Sequence, residues 1–211
     1  VWRDSLKASV IGMGLAVDVA SAYTRGVTPN WFIGFAMQVE GLRLPPSPPH
    51  VRVFTASDLH VTLGFLGSVE EGEAQKAWAL VDGFRSFRLV RGSFSGVKPL
   101  GNPRKPSALS AIVDVGREAL SEMIVEARSS LLEAAGARPD TRAPLPHMTI
   151  ARVQRRASAD ERRAALRWAR ELDTSAARFA ASSVALYTCS DDRRSHLFRI
   201  VERYDLPETA G

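Results

Sequence analysis

The chain has 211 residues, of which 45% are hydrophobic and 24% charged. This length can bury one sizeable core, so we expect one domain or two closely packed lobes, and the composition excludes a disordered chain. A net charge of +5 suits a polyanionic partner but identifies none. The single cysteine, Cys189, excludes an internal disulfide and a cysteine-rich metal site, and a cytoplasmic location is expected.

Residues 1–28 precede the first predicted strand. Apolar residues recur there at spacings of four and three, the stripe of an amphipathic helix. The sequence Ala20-Ser21-Ala22 resembles a signal-peptidase site, but Asp18 interrupts the preceding apolar run, which is also too short to span a bilayer. We therefore predict an N-terminal helical extension at residues 1–28 and no membrane association.

The rest of the chain alternates strand-like and helix-like segments. Composition and alternation predict strands at residues 31–39, 59–66, 87–100, 107–115, 147–153, 179–187 and 196–204. Helical periodicity predicts helices at residues 70–84, 116–135 and 159–172, and Gly136 is expected to end the second helix. Long connections between antiparallel strands predict an α+β fold.

Two of the four histidines begin the same short pattern, His60-Val61-Thr62 and His147-Met148-Thr149. Because side chains alternate along a strand, the histidine and threonine of each segment share a face. If the two strands are neighbours, two imidazoles and two hydroxyls converge. Spacing alone leaves a shared site and a coincidence equally open, since matches of three residues are common.

This set of side chains suits the cleavage of a phosphodiester bond. A neutral histidine can take a proton from the nucleophile while a protonated histidine gives one to the leaving oxygen, and histidine can do both near its ordinary pKa of about 6.5. Threonine hydroxyls can donate hydrogen bonds to phosphate oxygens, where charge builds up in the transition state.

Strand periodicity also predicts which neighbours share the histidine face. In residues 59–66 one face is expected to hold the apolar side chains Leu59, Val61, Leu63 and Phe65. Arg152 falls on the opposite side of an ideal strand from His147. A guanidinium matches phosphate oxygens well, so we expect the strand to bend or end there and bring Arg152 to the phosphate. The residue equivalent to Arg152 by spacing after His60 is Phe65.

The flanking sequences carry a wider resemblance. NWFIGFAMQV, DLHVTLGFLGSV, PLPHMTIARV and SVALYTCSDDRRSHLFRIVERYDL resemble the opening strand, the two signatures and the closing strand pair of one family. The chain thus resembles, over residues 30–207, the 2H phosphoesterase superfamily, and within it the LigT-like RNA 2′,3′-cyclic phosphodiesterases, also called 2′-5′ RNA ligases.

The resemblance implies two similar lobes of antiparallel sheet and helices within residues 29–211, facing across a central cleft. It implies that His60 and His147 are catalytic and that Thr62, Thr149 and Arg152 bind phosphate. Water would attack a 2′,3′-cyclic phosphate to leave a 2′-phosphate, with His147 as the base and His60 as the acid. No metal or cofactor is implied, and we expect a monomer whose partner is RNA or a nucleotide.

The substrate is less defined than the reaction. Relatives commonly carry an aromatic residue where this chain has Ser110, so base stacking there is in doubt. Further candidate substrate contacts are Phe32, Arg104, Lys105 and Tyr187. Two alternatives stay open: cleavage or reversible ligation of 2′-5′ linkages at the same site, and an RNA-binding module without turnover.

Overall fold

The computed structural model describes residues 29–102 and 105–208. The predicted extension at residues 1–28 and Arg104 lie outside this part of the chain. The described residues form, in chain order, β1 (Trp31–Glu40), β2 (Val51–Val53), β3 (His60–Gly67), α1 (Glu71–Trp78), β4 (Val90–Leu100), β5 (Ala108–Val113), α2 (Arg117–Ala134), β6 (His147–Val153), α3 (Ala159–Glu171), β7 (Arg178–Cys189) and β8 (Phe198–Asp205).

The strands form one antiparallel sheet in the order β1-β3-β6-β5-β4-β7-β8, with β2 beside β6. A further pairing of β1 with β7 closes six of the strands into a ring. One half of the sheet contains β1, β3, β7 and β8, and the other contains β2, β4, β5 and β6. The halves meet where β3 pairs with β6 and β4 with β7, so the α+β class predicted from the sequence is confirmed.

The ends of two helices follow from local sequence. Gly136 has a φ of 58° just after α2, and its N–H donates to the carbonyl of Glu133 while that of Ala137 donates to Leu132. Glycine adopts this left-handed conformation at little cost, so the predicted stop is confirmed. At the start of α3, Ser158 and Glu161 form a reciprocal capping box.

Three elements differ from the sequence prediction. Helix α1 ends at Trp78 and is followed by a 3-10 turn (Val81–Gly83), and β4 begins at Val90. Phe87, predicted to lie in that strand, is 1% exposed in the preceding loop, and its ring lies 5.0 Å from that of Phe84. The aromatic residues that suggested a strand are thus core residues of a loop. Strand β2 was not predicted, because three residues are too few for alternation to be recognised.

One face of the sheet packs against helices and buries the core. Residues of α2 such as Leu120 and Leu131 are fully buried against residues of the sheet such as Leu63 and Ile150. The opposite, concave face carries the histidines. Among the described residues, no helix is long and apolar enough to cross a membrane.

Candidate active site

The two His-x-Thr segments lie on adjacent strands. Strands β3 and β6 pair antiparallel at a single register position, Val61 opposite Met148. In an antiparallel pair, the residue before Val61 lies opposite the residue after Met148, and the residue after Val61 lies opposite the residue before Met148. His60 is therefore beside Thr149, and Thr62 is beside His147. The fold therefore brings all four side chains to one place, although the segments are far apart in the sequence.

A bulge in β6 brings Arg152 to the same face. Alternate residues of β5, namely Ala108, Ser110 and Ile112, pair with Arg152, Thr149 and His147, and the register shifts between the first two pairs. Paired residues of neighbouring strands point to the same face, so the extra residue in β6 resets its alternation. This confirms the expected distortion of the strand.

Strand β3 has an equivalent bulge, which changes the position of Phe65. Alternate residues of β1, namely Phe32, Gly34 and Ala36, pair with Phe65, Thr62 and His60. The prediction that Phe65 shares the apolar face with Val61 was wrong: its side chain is 58% exposed on the concave face. Phe65 in the first half thus corresponds to Arg152 in the second.

Both histidines are held by the same kind of hydrogen bond. The Nδ1 of His60 lies 2.7 Å from the carbonyl oxygen of Asp58, and the Nδ1 of His147 lies 2.6 Å from that of Leu145. Since a carbonyl can only accept, each Nδ1 carries the proton. In the neutral ring Nε2 then has a free lone pair, which can accept a proton from a substrate.

Aromatic rings surround His60. The centroids of Phe32, Tyr187 and Phe198 lie 4.5, 5.4 and 5.3 Å from the centre of its imidazole, and Phe32 stacks on Tyr187. Burial among these rings, together with the smaller effect of the nearby Arg152 charge, lowers the pKa of His60 to about 4, and the hydrogen bond to the Asp58 carbonyl partly opposes the shift. His60 is therefore neutral at pH 7.

A buried carboxylate supports this arrangement. Asp58 is 1% exposed, and its Oδ1 accepts hydrogen bonds from the backbone N–H groups of Leu197 and Phe198, at 2.8 and 3.0 Å. Its Oδ2 accepts one from the Thr55 hydroxyl at 3.0 Å. Asp58 thus holds Phe198 against the His60 ring with its side chain, and the imidazole itself with its carbonyl.

The two threonines have different surroundings. The hydroxyl of Thr149 lies 3.1 Å from that of Ser110, which is fully buried, so this serine fixes the side chain of Thr149. Opposite Thr62 lies Gly34, where an added Cβ would come within 2.9 Å of the carbonyl oxygen of Val61. Glycine there permits close strand approach and leaves the concave face open beside Thr62.

The remaining candidate substrate contacts among the described residues are Phe32, Tyr187 and Lys105. Phe32 and Tyr187 are 3% and 1% exposed and contact His60, and burial raises the pKa of the Tyr187 hydroxyl. Lys105 is exposed in the loop between β4 and β5. Among the described residues, no three or more His, Cys, Asp or Glu side chains are grouped to hold a metal ion.

Sequence reasoning missed two residues of the site. Phe65 lies as far after His60 as Arg152 lies after His147, so the shared spacing was the available signal. Asp58 precedes the first motif by two residues, but its partners Leu197 and Phe198 are distant in the sequence. Nothing local distinguishes it from a surface aspartate.

The chain belongs to the 2'-5' RNA ligase superfamily, whose family model matches residues 35–193. Its fold is that of the LigT-like 2H phosphoesterases. It is similar to the crystal structure of E. coli LigT complexed with 3'-AMP, with 18% identity, a TM-score of 0.59 and coverage of 84% of this chain and 98% of that one.

A second similar structure is that of TT0787 from Thermus thermophilus, with 19% identity, a TM-score of 0.58 and coverage of 85% of this chain and 98% of that one. At these identities the structural likeness establishes the fold alone. No curated protein sequence matches the chain.

Asp58→Ala is expected to destabilise the protein by about 3 kcal/mol, because two buried N–H groups lose their charged acceptor. Asp58→Asn keeps an acceptor oxygen and should lose less than about 1 kcal/mol. Urea unfolding of both variants at pH 7 measures the difference. Equal losses would show that the carboxylate does not anchor Leu197 and Phe198.

The pKa of His60 can be measured directly by NMR of the imidazole resonances. We expect His60 to titrate near pH 4, and Arg152→Gln to raise that value because a nearby positive charge is removed. His60→Gln identifies the resonance. Titration near the ordinary value of about 6.5 would contradict the burial described here.

Proposed function

We propose that this protein hydrolyses 2′,3′-cyclic phosphodiesters, at RNA ends or in cyclic nucleotides, to 2′-phosphates. The observation that carries the proposal is the meeting of His60, Thr62, His147, Thr149 and Arg152 on one concave face. Two imidazoles with Nδ1 fixed and Nε2 free suit a reaction that needs one proton acceptor and one donor.

In the proposed reaction, water attacks phosphorus and the bond from phosphorus to the 3′ oxygen breaks. One histidine takes a proton from the water and the other protonates the 3′ oxygen, leaving a 2′-phosphate and a 3′-hydroxyl. Thr62 and Thr149 donate hydrogen bonds to the non-bridging oxygens, and the Arg152 guanidinium offsets their negative charge.

The surroundings of His60 favour a reversal of the roles given by the family resemblance, in which His147 was the base and His60 the acid. With its pKa lowered to about 4, His60 is almost wholly unprotonated at pH 7. It can therefore accept a proton from water, whereas few molecules would hold a proton to give. We accordingly assign the base to His60 and the acid to His147.

Phe65 adds a contact that the sequence-based candidates lacked. Its ring is 58% exposed and shares the concave face with His60 and Thr62. An exposed aromatic ring beside a phosphate site offers a surface on which a nucleobase can stack. Phe32 and Tyr187 are buried beneath His60, so we assign them to its support, while Lys105 and Arg104 stay candidate contacts. The cytoplasmic location and monomeric state stay predictions.

The proposal is tested with adenosine 2′,3′-cyclic phosphate in EDTA, identifying the product by chromatography against 2′-AMP and 3′-AMP. Turnover to 2′-AMP is expected, and His60→Ala and His147→Ala should each lower kcat by about 100-fold or more. No turnover, or turnover that survives both substitutions, would overturn the proposal. Asp58→Asn serves as a folded control that keeps both histidines.

Replacement of Phe65 should weaken substrate binding. Because base stacking on an aromatic residue contributes about 1–3 kcal/mol, Phe65→Ala should raise KM about tenfold, whereas Phe65→Trp should keep it near the wild-type value. Steady-state kinetics with cyclic adenosine and cyclic uridine phosphates provides the measurement. An unchanged KM in Phe65→Ala would remove the stacking contact.

The family description supports a second candidate activity, the cleavage or joining of 2′-5′ linkages at the same site. Incubation with a 2′-5′ oligoadenylate and analysis of the products separates it from hydrolysis of the cyclic phosphate. RNA affinity without hydrolysis of any of these substrates would favour the third alternative, a binding module.

A further inference from the structure

Three arginine side chains lie close together beside the histidine face. Arg52 in β2 stands directly opposite Arg152 in β6, and its guanidinium donates a hydrogen bond at 3.4 Å to the backbone carbonyl of Arg194. Arg193 precedes Arg194 in the turn between β7 and β8. Burial of Arg152 lowers the pKa of its guanidinium, and the nearby positive charge of Arg193 is the second cause of that shift. We call Arg52, Arg152 and Arg193 the arginine cluster.

The charges of this cluster are not balanced. Within residues 29–102 and 105–208, none of the three guanidinium groups forms an ion pair with a carboxylate. The carboxylate of Asp192, in the same turn, instead accepts hydrogen bonds from the Ser195 hydroxyl and the backbone N–H of Arg194. Like charges directly opposite each other on neighbouring strands destabilise a sheet, so the cluster has a cost that an anion would offset.

The cluster also extends beyond what one phosphate needs. Arg152 shares the concave face with Thr149 and His147, whereas Arg52 lies one strand further out, about 5 Å across the sheet. Arg193 lies in the turn between β7 and β8, and the carbonyl of the next residue of that turn accepts the hydrogen bond from Arg52. A second phosphate attached to the same substrate would meet these outer arginines while the first occupies the catalytic pair.

We propose that Arg52 and Arg193 bind the phosphate on the 5′ side of the terminal nucleotide, so that the preferred substrate is the end of an RNA chain and not a mononucleoside cyclic phosphate. This inference rests on the proposed function. A bidentate guanidinium contact to phosphate is strong and needs no base, so the cluster selects for chain length and not for sequence.

The test compares adenosine 2′,3′-cyclic phosphate with the dinucleotide ApA that ends in the same cyclic phosphate. The wild-type protein should have a kcat/KM about tenfold or more higher for the dinucleotide, since one more charge-assisted contact is made. The double variant Arg52→Gln/Arg193→Gln should lose that preference and keep its kcat/KM for the mononucleotide within about twofold, because the outer arginines touch no phosphate there. Arg170→Gln, on the exposed surface of α3, is the matched control for lost charge.

A parallel measurement separates this inference from the proposed function. Binding of a fluorescent RNA oligomer ending in a 2′-phosphate should weaken about tenfold in the double variant and be unchanged in Arg170→Gln. If neither cyclic substrate is hydrolysed, the proposed function fails. The difference in RNA binding between the double variant and Arg170→Gln then shows whether the arginine cluster binds the RNA chain. Three results would overturn the inference: an equal loss of kcat/KM on both substrates in the double variant, a wild-type protein with no preference for the dinucleotide, or unchanged RNA binding in the double variant.

Discussion

The site depends on one antiparallel contact, the pairing of Val61 with Met148 where the two halves of the sheet meet. Each half supplies a histidine and a threonine, and neither half contains a complete set. Antiparallel pairing relates the two segments by an approximate two-fold axis, so each histidine lies beside the threonine of the other segment. Under the proposed function, a phosphate bound at this point would have a histidine on each side, as a reaction with one attacking and one leaving oxygen requires.

The two bulges extend the approximate two-fold relation between the halves of the sheet beyond the His-x-Thr segments. In both β3 and β6 the burial pattern runs half-buried, buried, half-buried, buried, buried and exposed from the histidine onward. The extra residue turns the exposed position, Phe65 or Arg152, to the face of the histidines. One of these positions holds an aromatic ring and the other a guanidinium. The bulges thus provide two symmetric positions that suit two different parts of a nucleotide, the base and the phosphate.

Period-two alternation was enough to predict that each histidine shares a face with its threonine, because neither segment is interrupted between the two residues. The chemistry of phosphate binding then predicted that β6 must be distorted before Arg152. The same argument was not available for Phe65, since an apolar residue in an alternating strand is placed on the buried face by default. Asp58 and the arginine cluster depend on contacts between residues far apart in the chain, and no local pattern records them.

The two halves differ most in what lies behind each histidine. Three aromatic rings and the carbonyl of the buried Asp58 enclose His60, whereas in the described residues no aromatic ring contacts His147, and the carbonyl that holds it belongs to the half-exposed Leu145. Desolvation penalises a protonated imidazole, so the aromatic enclosure lowers the pKa of His60, and the ring in the equivalent position of the fold has no such enclosure among the described residues. The proposed reaction uses one histidine as proton acceptor and the other as proton donor, and different surroundings of the two rings favour a fixed assignment of those roles. The aromatic enclosure, which is absent from the His-x-Thr pattern itself, is therefore the feature that distinguishes the two histidines of an otherwise symmetric pair of motifs, and the proposed assignment of base and acid rests on it.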